Sequence, residues 1–316
     1  MKLVIGCGIG SLSAALAGLA LLTVPALAAD SINGQVHGAG APIAGSTITL
    51  WAEGTDGPTQ LAQTQTDGDG RFVLNADGNG AILYLTVEGG RPTASKISDN
   101  NPGVGLISVL GSTVPANVVV NEMTTVASVW THNQFLDRTA IKGNPLGLKI
   151  AAGNVPNFVD LQTGGWGAAI QDPLNSNQTT TMANFATLAD ALSGCITRVT
   201  PDACRKLFAA ATPPTGGAPT DTLAAAEAIA KNPSYRPERV FALLNDFYPM
   251  PQGKTLRPTP RMPYLSYAPS AWVLPLKFTG GGLNAPGKIM FDGEGNAWTG
   301  VNFIVGSQAS DDLWDV

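Results

Sequence analysis

The chain has few residues of the kinds that carry chemistry. Its 316 residues include only two histidines and three cysteines, and charged residues make up 13% of them. No basic stripe with interleaved aromatic residues is present, which argues against nucleic acid as a partner. Phosphate-binding Gly-x-x-x-x-Gly-Lys and zinc-binding His-Glu-x-x-His motifs are also absent from the sequence. The sequence therefore predicts no catalytic, cofactor-binding or metal-binding residues.

Long apolar runs are scarce too, and the one that stands out is at the N-terminus. Lys2 precedes an apolar stretch over residues 12–22, and Ala26-Leu27-Ala28 has the spacing of a cleavage site. This pattern predicts a signal peptide over residues 1–29, with an uncleaved anchor as the alternative. We therefore expect a secreted, periplasmic or cell-surface protein.

Charge is low while glycine and proline are plentiful. The chain has 37 glycines and 23 prolines, a composition typical of turn-rich extracellular β proteins. Of the three cysteines, Cys7 lies within the predicted signal peptide, which leaves Cys195 and Cys204. An even number of cysteines in an exported chain favours a disulfide between them, with two buried free thiols as the alternative.

Residues 30–121 have the alternating pattern of an antiparallel β domain. The turn Asp67-Gly68-Asp69-Gly70 between two of the segments predicts a hairpin. Asp67 and Asp69 also suggest calcium, but the position where an EF-hand needs glutamate is Gly78, so a tight turn is favoured. The predicted strands are 32–37, 47–52, 60–66, 71–74, 81–88 and 114–120.

The order of motifs in this region resembles carboxypeptidase regulatory-like domains. The motifs are Gly34-Gln35-Val36, then residues 42–50 (Pro-Ile-Ala-Gly-Ser-Thr-Ile-Thr-Leu), then residues 66–72 (Thr-Asp-Gly-Asp-Gly-Arg-Phe). The resemblance implies a seven-stranded, transthyretin-like β-sandwich. It also implies a non-catalytic module used for spacing, stability or adhesion.

Residues 122–250 change to a helical period of about 3.6 residues. Asn121, Asn144 and Asp221 (or Thr220) are the expected N-caps. The predicted helices run from Asn121 through Trp130, from Pro145 towards Leu161, and over 181–192, 204–210, 222–230 and 237–247. The segments 188–195, 203–208 and 221–223 resemble a helical insert of secreted bacterial proteins that carry NHL-type propellers.

No catalytic set is predicted within these helices. Ser193 lacks the Gly-x-Ser-x-Gly context of a nucleophile elbow. Glu122 and His132 are ten residues apart and do not share a helix face at ideal pitch. We expect His132 to be a polar residue at a helix end rather than a general base.

A proline-rich linker is predicted over residues 251–271. Tyr264, Tyr267 and Trp272 suggest a stacking platform for sugars. The more ordinary interpretation is that these aromatic residues seal the boundary between the helices and the next domain.

Residues 272–316 resemble the first blade of an NHL or streptogramin-lyase-like β-propeller. Asp292, Gly295, Asn296 and Trp298 fit the Asp-x-x-Gly-Asn-x-Trp signature of the repeated unit. Strands are expected at 272–278, 289–291 and 296–301. Only about forty residues are covered, so the resemblance implies a partial blade that packs on the helices or is loosely ordered.

Together these features predict a multidomain α+β chain: a prealbumin-like antiparallel sandwich, an α-helical domain with a disulfide, and a partial propeller blade. The expected function is an exported, non-catalytic scaffold or binding protein that presents a propeller. Its partners are unknown, with cell-wall or extracellular polysaccharide or a protein as possibilities. The alternatives are the front part of a streptogramin-lyase-like enzyme, with its active site beyond residue 316, and a carbohydrate-adhesion module.

Overall fold

The computed structural model of the protein describes residues 31–75, 80–115, 117–279 and 286–301, without the side chains of residues 286 and 301. The predicted signal peptide lies outside these residues, as do residues 302–316 of the predicted blade segment. The described residues combine helices with mainly antiparallel sheets, so the α+β class is confirmed.

The described residues contain fifteen strands and eight helices. The strands are β1 (Ser31–Gly38), β2 (Ala41–Ala44), β3 (Thr47–Ala52), β4 (Thr59–Gln65), β5 (Arg71–Asn75), β6 (Leu83–Glu88), β7 (Arg91–Pro92), β8 (Gly105–Gly111), β9 (Asn117–Val120), β10 (Leu136–Asp137), β11 (Ala140–Ile141), β12 (Val159–Asp160), β13 (Gly165–Trp166), β14 (Pro286–Phe291) and β15 (Ala297–Val301). The helices are α1 (Glu122–His132), α2 (Pro145–Phe158), α3 (Ala168–Gln171), α4 (Pro173–Ser176), α5 (Thr181–Ile196), α6 (Ala203–Ala210), α7 (Thr222–Lys231) and α8 (Pro237–Phe247).

Two larger sheets occupy the first part of the chain. One has the order β5-β1-β2-β7, with β9 paired in parallel to β1, and the other has the order β4-β3-β6-β8. The predicted hairpin around Asp67 is wrong, because β4 pairs with β3 and β5 pairs with β1. The turn instead carries the chain from one sheet to the other. The Asp67 carboxylate accepts the N–H groups of Asp69 and Arg71, and Gly70 has a φ of 72°.

Strand β8 was not predicted, because its sequence Gly-Leu-Ile-Ser-Val-Leu-Gly does not alternate. Six of its seven residues are buried. One edge pairs with β6, and side chains from two helices bond to its main chain. Thr125 and Ser128 of α1 accept the N–H groups of Ile107 and Val109, and Thr222 of α7 bonds both main-chain groups of Gly105. The helices therefore pack directly against this sheet.

The predicted helix starts are confirmed where capping chemistry indicated them. The Asn121 side chain accepts the N–H groups of Met123 and Thr124. The Thr124 hydroxyl accepts the Asn121 N–H, which completes a capping box. Asn144 and Asp221 cap α2 and α7. Helix α8 has the predicted bounds, whereas α5 is four residues longer than predicted.

The predicted strand over residues 272–278 is wrong. These residues form no helix or strand, because their main chain bonds to helix side chains instead of to a neighbouring strand. Thr181 donates to the Pro275 carbonyl, Asn184 donates to the Val273 carbonyl, and the Asn175 amide bonds both main-chain groups of Lys277. We call residues 257–277 the strap.

A single hydrophobic core runs through the sheets, the helices and the strap. It includes Ile48 and Leu85 from the second sheet, Phe185 from α5, and Leu265 and Trp272 from the strap. The C-terminal hairpin of β14 and β15 is present as predicted. Several of its apolar side chains are exposed, namely those of Ile289, Met290, Phe291 and Trp298.

Candidate functional site

The three aromatic residues predicted to stack on a sugar do not form a common platform. Trp272 is 1% exposed, and Tyr267 is 68% exposed. Tyr264 is half-buried, and its hydroxyl accepts the Arg257 N–H. Trp272 lies instead in the core, where its carbonyl accepts the indole N–H of Trp130 in α1. This burial places Trp272 in the core rather than on a surface that a sugar could reach.

The two cysteines of the predicted disulfide are brought together. The sulfur atoms of Cys195 in α5 and Cys204 in α6 are 2.06 Å apart. Asn101 lies beside this link and donates to the carbonyls of Cys195 and Ile196. The disulfide therefore links α5 to α6, and Asn101 attaches the loop before β8 to the end of α5.

A buried polar cluster forms where α1, α5, the strap and the β1–β2 turn meet. Glu122, the first residue of α1, is 0% exposed. Its Oε1 atom forms an ion pair with the Arg261 guanidinium at 2.5 Å and accepts hydrogen bonds from the Ala39 N–H at 2.8 Å and from the Ser193 hydroxyl. Arg261 also lies 3.3 Å from the Ser193 hydroxyl oxygen. Charge pairing and hydrogen bonding of this kind are what a buried carboxylate needs.

Asp190 is the second carboxyl group of this cluster. Its Oδ1 accepts the Arg261 N–H at 3.1 Å, while its Oδ2 has no hydrogen-bond partner among the described residues. Burial, the largest cause, raises the pKa of Asp190 to about 8, and the nearby Glu122 charge adds to this effect. Asp190 is therefore mainly protonated at neutral pH, so the cluster has one carboxylate and one guanidinium.

Two further titratable groups border the cluster. His37 of β1 has its pKa lowered by burial, against an opposing effect of Glu122, so burial favours its neutral form. Tyr248, which follows α8, donates its hydroxyl to the Asp190 carbonyl at 3.2 Å. Burial also raises the pKa of Tyr248 well above its usual value.

The cluster has the residue types of a hydrolase site but not the accessibility of one. Glu122, Asp190 and Ser193 are all 0% exposed. The Ser193 hydroxyl donates to a carboxylate that is already ion-paired with Arg261, so that carboxylate is a poor general base. Chemically, the arrangement acts as a charge-paired attachment of the strap to the helices.

His132 and Glu53 form another buried pair. The His132 Nε2 and Glu53 Oε1 atoms are 3.5 Å apart, and both side chains are at most 1% exposed. Burial raises the pKa of Glu53 to about 8 and lowers that of His132 to about 4, so both groups are mainly neutral near pH 7. The prediction that His132 ends a helix is confirmed, and its position joins α1 to the residue that follows β3.

The propeller-like signature residues build one turn around a carboxylate. Asp292 accepts the main-chain N–H groups of Glu294 and Asn296, the Asn296 side-chain amide and the indole N–H of Trp298 at 2.8 Å. These bonds, that of Trp298 first, lower the pKa of Asp292 to about 2. Gly295 completes the turn with a φ of 89°. The four signature residues therefore have a shared structural role.

Two surface clefts adjoin these elements. One of about 640 Å³ lies between α2 and the C-terminal hairpin, and its walls include Ile150, Phe278, Phe291 and Ala297. The other, of about 730 Å³, lies between the β10–β11 turn and the start of α7. Its lining includes Glu88, Asp137, Arg138 and Asp221.

Neither a metal centre nor a membrane-crossing helix is found in the described part of the chain. No group of three or more His, Cys, Asp and Glu side chains there is arranged to hold a metal ion. No helix in the same residues is long and apolar enough to cross a membrane.

The grouping of Glu122, Asp190, Ser193 and Arg261 is not predicted from the sequence. Arg261 is far from the other three in sequence and lies in a segment without periodicity. One signal was present: α5 has polar residues at every third position from 181 to 193, on a helix that is otherwise strongly apolar. Such a buried polar row requires partners from elsewhere in the chain.

Comparison with known proteins gives no family for this chain. No protein-family profile and no curated protein matches it. A matching solved structure is that of a 9R-lipoxygenase from Cyanothece PCC8801, with 21% identity and a TM-score of 0.21. The match covers 28% of this chain and 15% of the lipoxygenase chain. At that TM-score it carries no argument about fold or function.

Proposed function

We propose that this chain is an exported, non-catalytic scaffold or binding protein of the cell surface or periplasm. In this proposal the two larger sheets form a transthyretin-like, carboxypeptidase regulatory-like sandwich. The helices form an insert pinned by the disulfide, and the C-terminal hairpin opens an NHL-like β-propeller. The helices and strap provide the base on which the propeller is presented.

The observation that carries the proposal is the C-terminal hairpin. Its Asp292 turn is fully bonded, yet Ile289, Met290 and Trp298 are each at least 64% exposed. A two-stranded hairpin with exposed apolar residues is marginal by itself and gains stability when further strands cover it. Additional blade strands would supply that cover.

The burial of the ionisable residues also supports a scaffold over an enzyme. The Glu122 cluster and the Glu53–His132 pair lie within the packed core, where they hold elements together. The rival hypothesis of a streptogramin-lyase-like enzyme draws no support from these two buried groups. The carbohydrate-adhesion alternative loses one of its three stacking residues, because Trp272 is buried.

Reading the native coding sequence beyond codon 316 tests the proposal. Repeats of Asp-x-x-Gly-Asn-x-Trp at regular spacing would support it, and an unrelated continuation or an immediate stop codon would contradict the propeller. Histidines and acidic residues grouped on one face of the blades would favour a lyase-like enzyme over a scaffold.

Hydrogen exchange provides a second test of the same proposal. If further blades exist, the β14 and β15 amides should be protected more strongly in the native-length protein than in the chain ending at residue 316. The β3 and β6 amides, which are in the core in both proteins, are the internal control. Equal protection of the hairpin in both proteins would contradict the proposed blade packing.

A further inference from the structure

The strap is held by a row of polar side chains on α5. The row consists of Thr181, Asn184, Thr187, Asp190 and Ser193, all 4% exposed or less. Four of them bond the main chain of the strap at Pro275, Val273, Leu265 and Arg261. Ser193 contacts the Arg261 side chain. These contacts take the place of the main-chain hydrogen bonds that a neighbouring strand would supply.

The strap is attached differently at its two ends. Towards residue 277, the Trp272 side chain is buried in the core, and the main-chain N–H of Trp272 donates to the Pro233 carbonyl. Around Arg261, attachment depends on the ion pair with Glu122 and on the bond from the Arg261 N–H to Asp190. The exposed neighbour Met262 and the half-buried Thr259 add little buried apolar surface there.

We propose that Asp190 is a proton-controlled latch, which holds the Arg261 end of the strap closed while its carboxyl group is protonated and releases that end when it ionises. The proposal concerns the described residues alone and does not depend on the function proposed above.

The balance of charge explains why ionisation should open the latch. The groups facing Asp190 are Arg261 of the strap, Glu122 of α1 and Tyr248 after α8, with His37 of β1 beside Glu122 and Arg261. Among the described residues, Arg261 is the cation that acts on the Asp190 carboxyl at alkaline pH, since His37 is then neutral. Ionised Asp190 would leave two carboxylates with one guanidinium away from water, which is costly. Opening the strap hydrates both carboxylates.

The direction of the pH effect follows from the pKa of Asp190. Burial raises that pKa from 3.8 to about 8. A raised pKa stabilises the closed state fully at low pH, and the stabilisation is lost as pH rises through the folded-state value. The latch should therefore weaken as pH rises through neutrality towards about 8. If opening and ionisation are coupled, the opening constant rises about tenfold per pH unit between the ordinary pKa of 3.8 and the folded-state value of about 8, and it levels off above that value.

Hydrogen exchange of the full chain at about pH 6.5 and about pH 9, corrected for the intrinsic rate, tests the latch. The expected result is a loss of protection of about thirtyfold at the Arg261 amide, with the β3 and β6 amides unchanged, since about 1.5 pH units of coupled ionisation separate pH 6.5 from the folded-state pKa of about 8. Asp190→Asn should abolish the loss. The matched control Asp246→Asn, an exposed position on α8, should behave as the wild type.

A pH-independent Arg261 amide in the wild type, or an unchanged loss in Asp190→Asn, would overturn the proposal. If Asp190→Asn does not fold, titration of the wild-type Asp190 carboxyl carbon by NMR decides. A midpoint that coincides with the opening of the strap supports the latch, and an ordinary acidic midpoint refutes it.

Discussion

Glu53 and His132 lie face to face in the core. Neither Glu53 oxygen has a hydrogen-bond partner among the described residues, and the same holds for the His132 Nε2. The other ring nitrogen of His132 lies 3.1 Å from the Ser128 carbonyl, which fits a neutral ring that donates there. A buried pair of this kind is stable only while both groups are uncharged, because unsolvated charge is costly. Its contribution to stability must therefore depend on pH.

Glu53→Gln is predicted to become more stable relative to the wild type as pH rises. The folded-state pKa of Glu53 is about 8, above the reference 4.5, so the wild type loses stability between those values, while glutamine stays neutral. From pH 5 to pH 8 the relative gain in unfolding free energy should be about 3–4 kcal/mol, since each pH unit between the two pKa values contributes about 1.4 kcal/mol. Urea unfolding at the two pH values measures it.

Glu88→Gln is the matched control, because Glu88 is exposed at the end of β6. Its difference from the wild type should be the same at both pH values. The contributions of Asp190 and His132 are common to all three proteins and largely cancel. If Glu53→Gln showed no relative gain, Glu53 would have to be solvated or charged in the folded protein.

At the scale of elements, the main chain of β8 and of the strap is bonded by helix side chains. Thr125, Ser128 and Thr222 bond to β8, and the α5 row bonds to the strap. Buried main-chain groups need partners, and short side chains on a helix can supply them at a spacing of three or four residues. The proline-rich strap can therefore cross the core without a strand partner.

Trp272→Ala is predicted to lower the free energy of unfolding by about 3–5 kcal/mol, as expected for truncating a large buried aromatic side chain. Tyr267→Ala, five residues away and 68% exposed, should change it by less than about 0.5 kcal/mol. Chemical denaturation of the two variants makes the comparison. Similar small losses in both would mean that Trp272 is not a core residue and would restore it as a candidate for sugar stacking.

At the scale of the molecule, the sheets and helices share one core. Helix α1 contacts β8 of the second sheet and the helices α2, α5 and α7. A core that is continuous across two predicted domains should unfold cooperatively, because loss of either part exposes the other. The exposed C-terminal hairpin contributes few buried residues to this core.

With the disulfide intact, residues 31–279 should unfold in one transition. Far-UV circular dichroism reports mainly the helices. The near-UV signal includes a contribution from the stacked pair Trp51 and Tyr84 in the sheet. The two signals should give the same urea midpoint. Two separated midpoints would show that 30–121 and 122–250 are independent units. Hydrogen exchange should be faster in β14 and β15 than in β3 and β6.

Much of the local structure could be predicted from the sequence. Asn121, Asn144 and Asp221 cap helices as expected, and Pro237–Phe247 has the predicted bounds. Strand β8 was missed because a strand buried on both faces does not alternate. The sequence predicts a strand at residues 272–278. An extended segment has the same sequence pattern whether its main chain is bonded by a neighbouring strand or by helix side chains.

The sequence by itself determined where the chain turns, where its helices begin and which faces are apolar, because these depend on neighbouring residues. Only the tertiary structure decided that the Asp67 turn crosses between sheets and that Trp272 is buried. It alone also brought Arg261 to Glu122 and Asp190. Such pairings depend on groups far apart in the chain, and the loss of water around them changes both their protonation and their role.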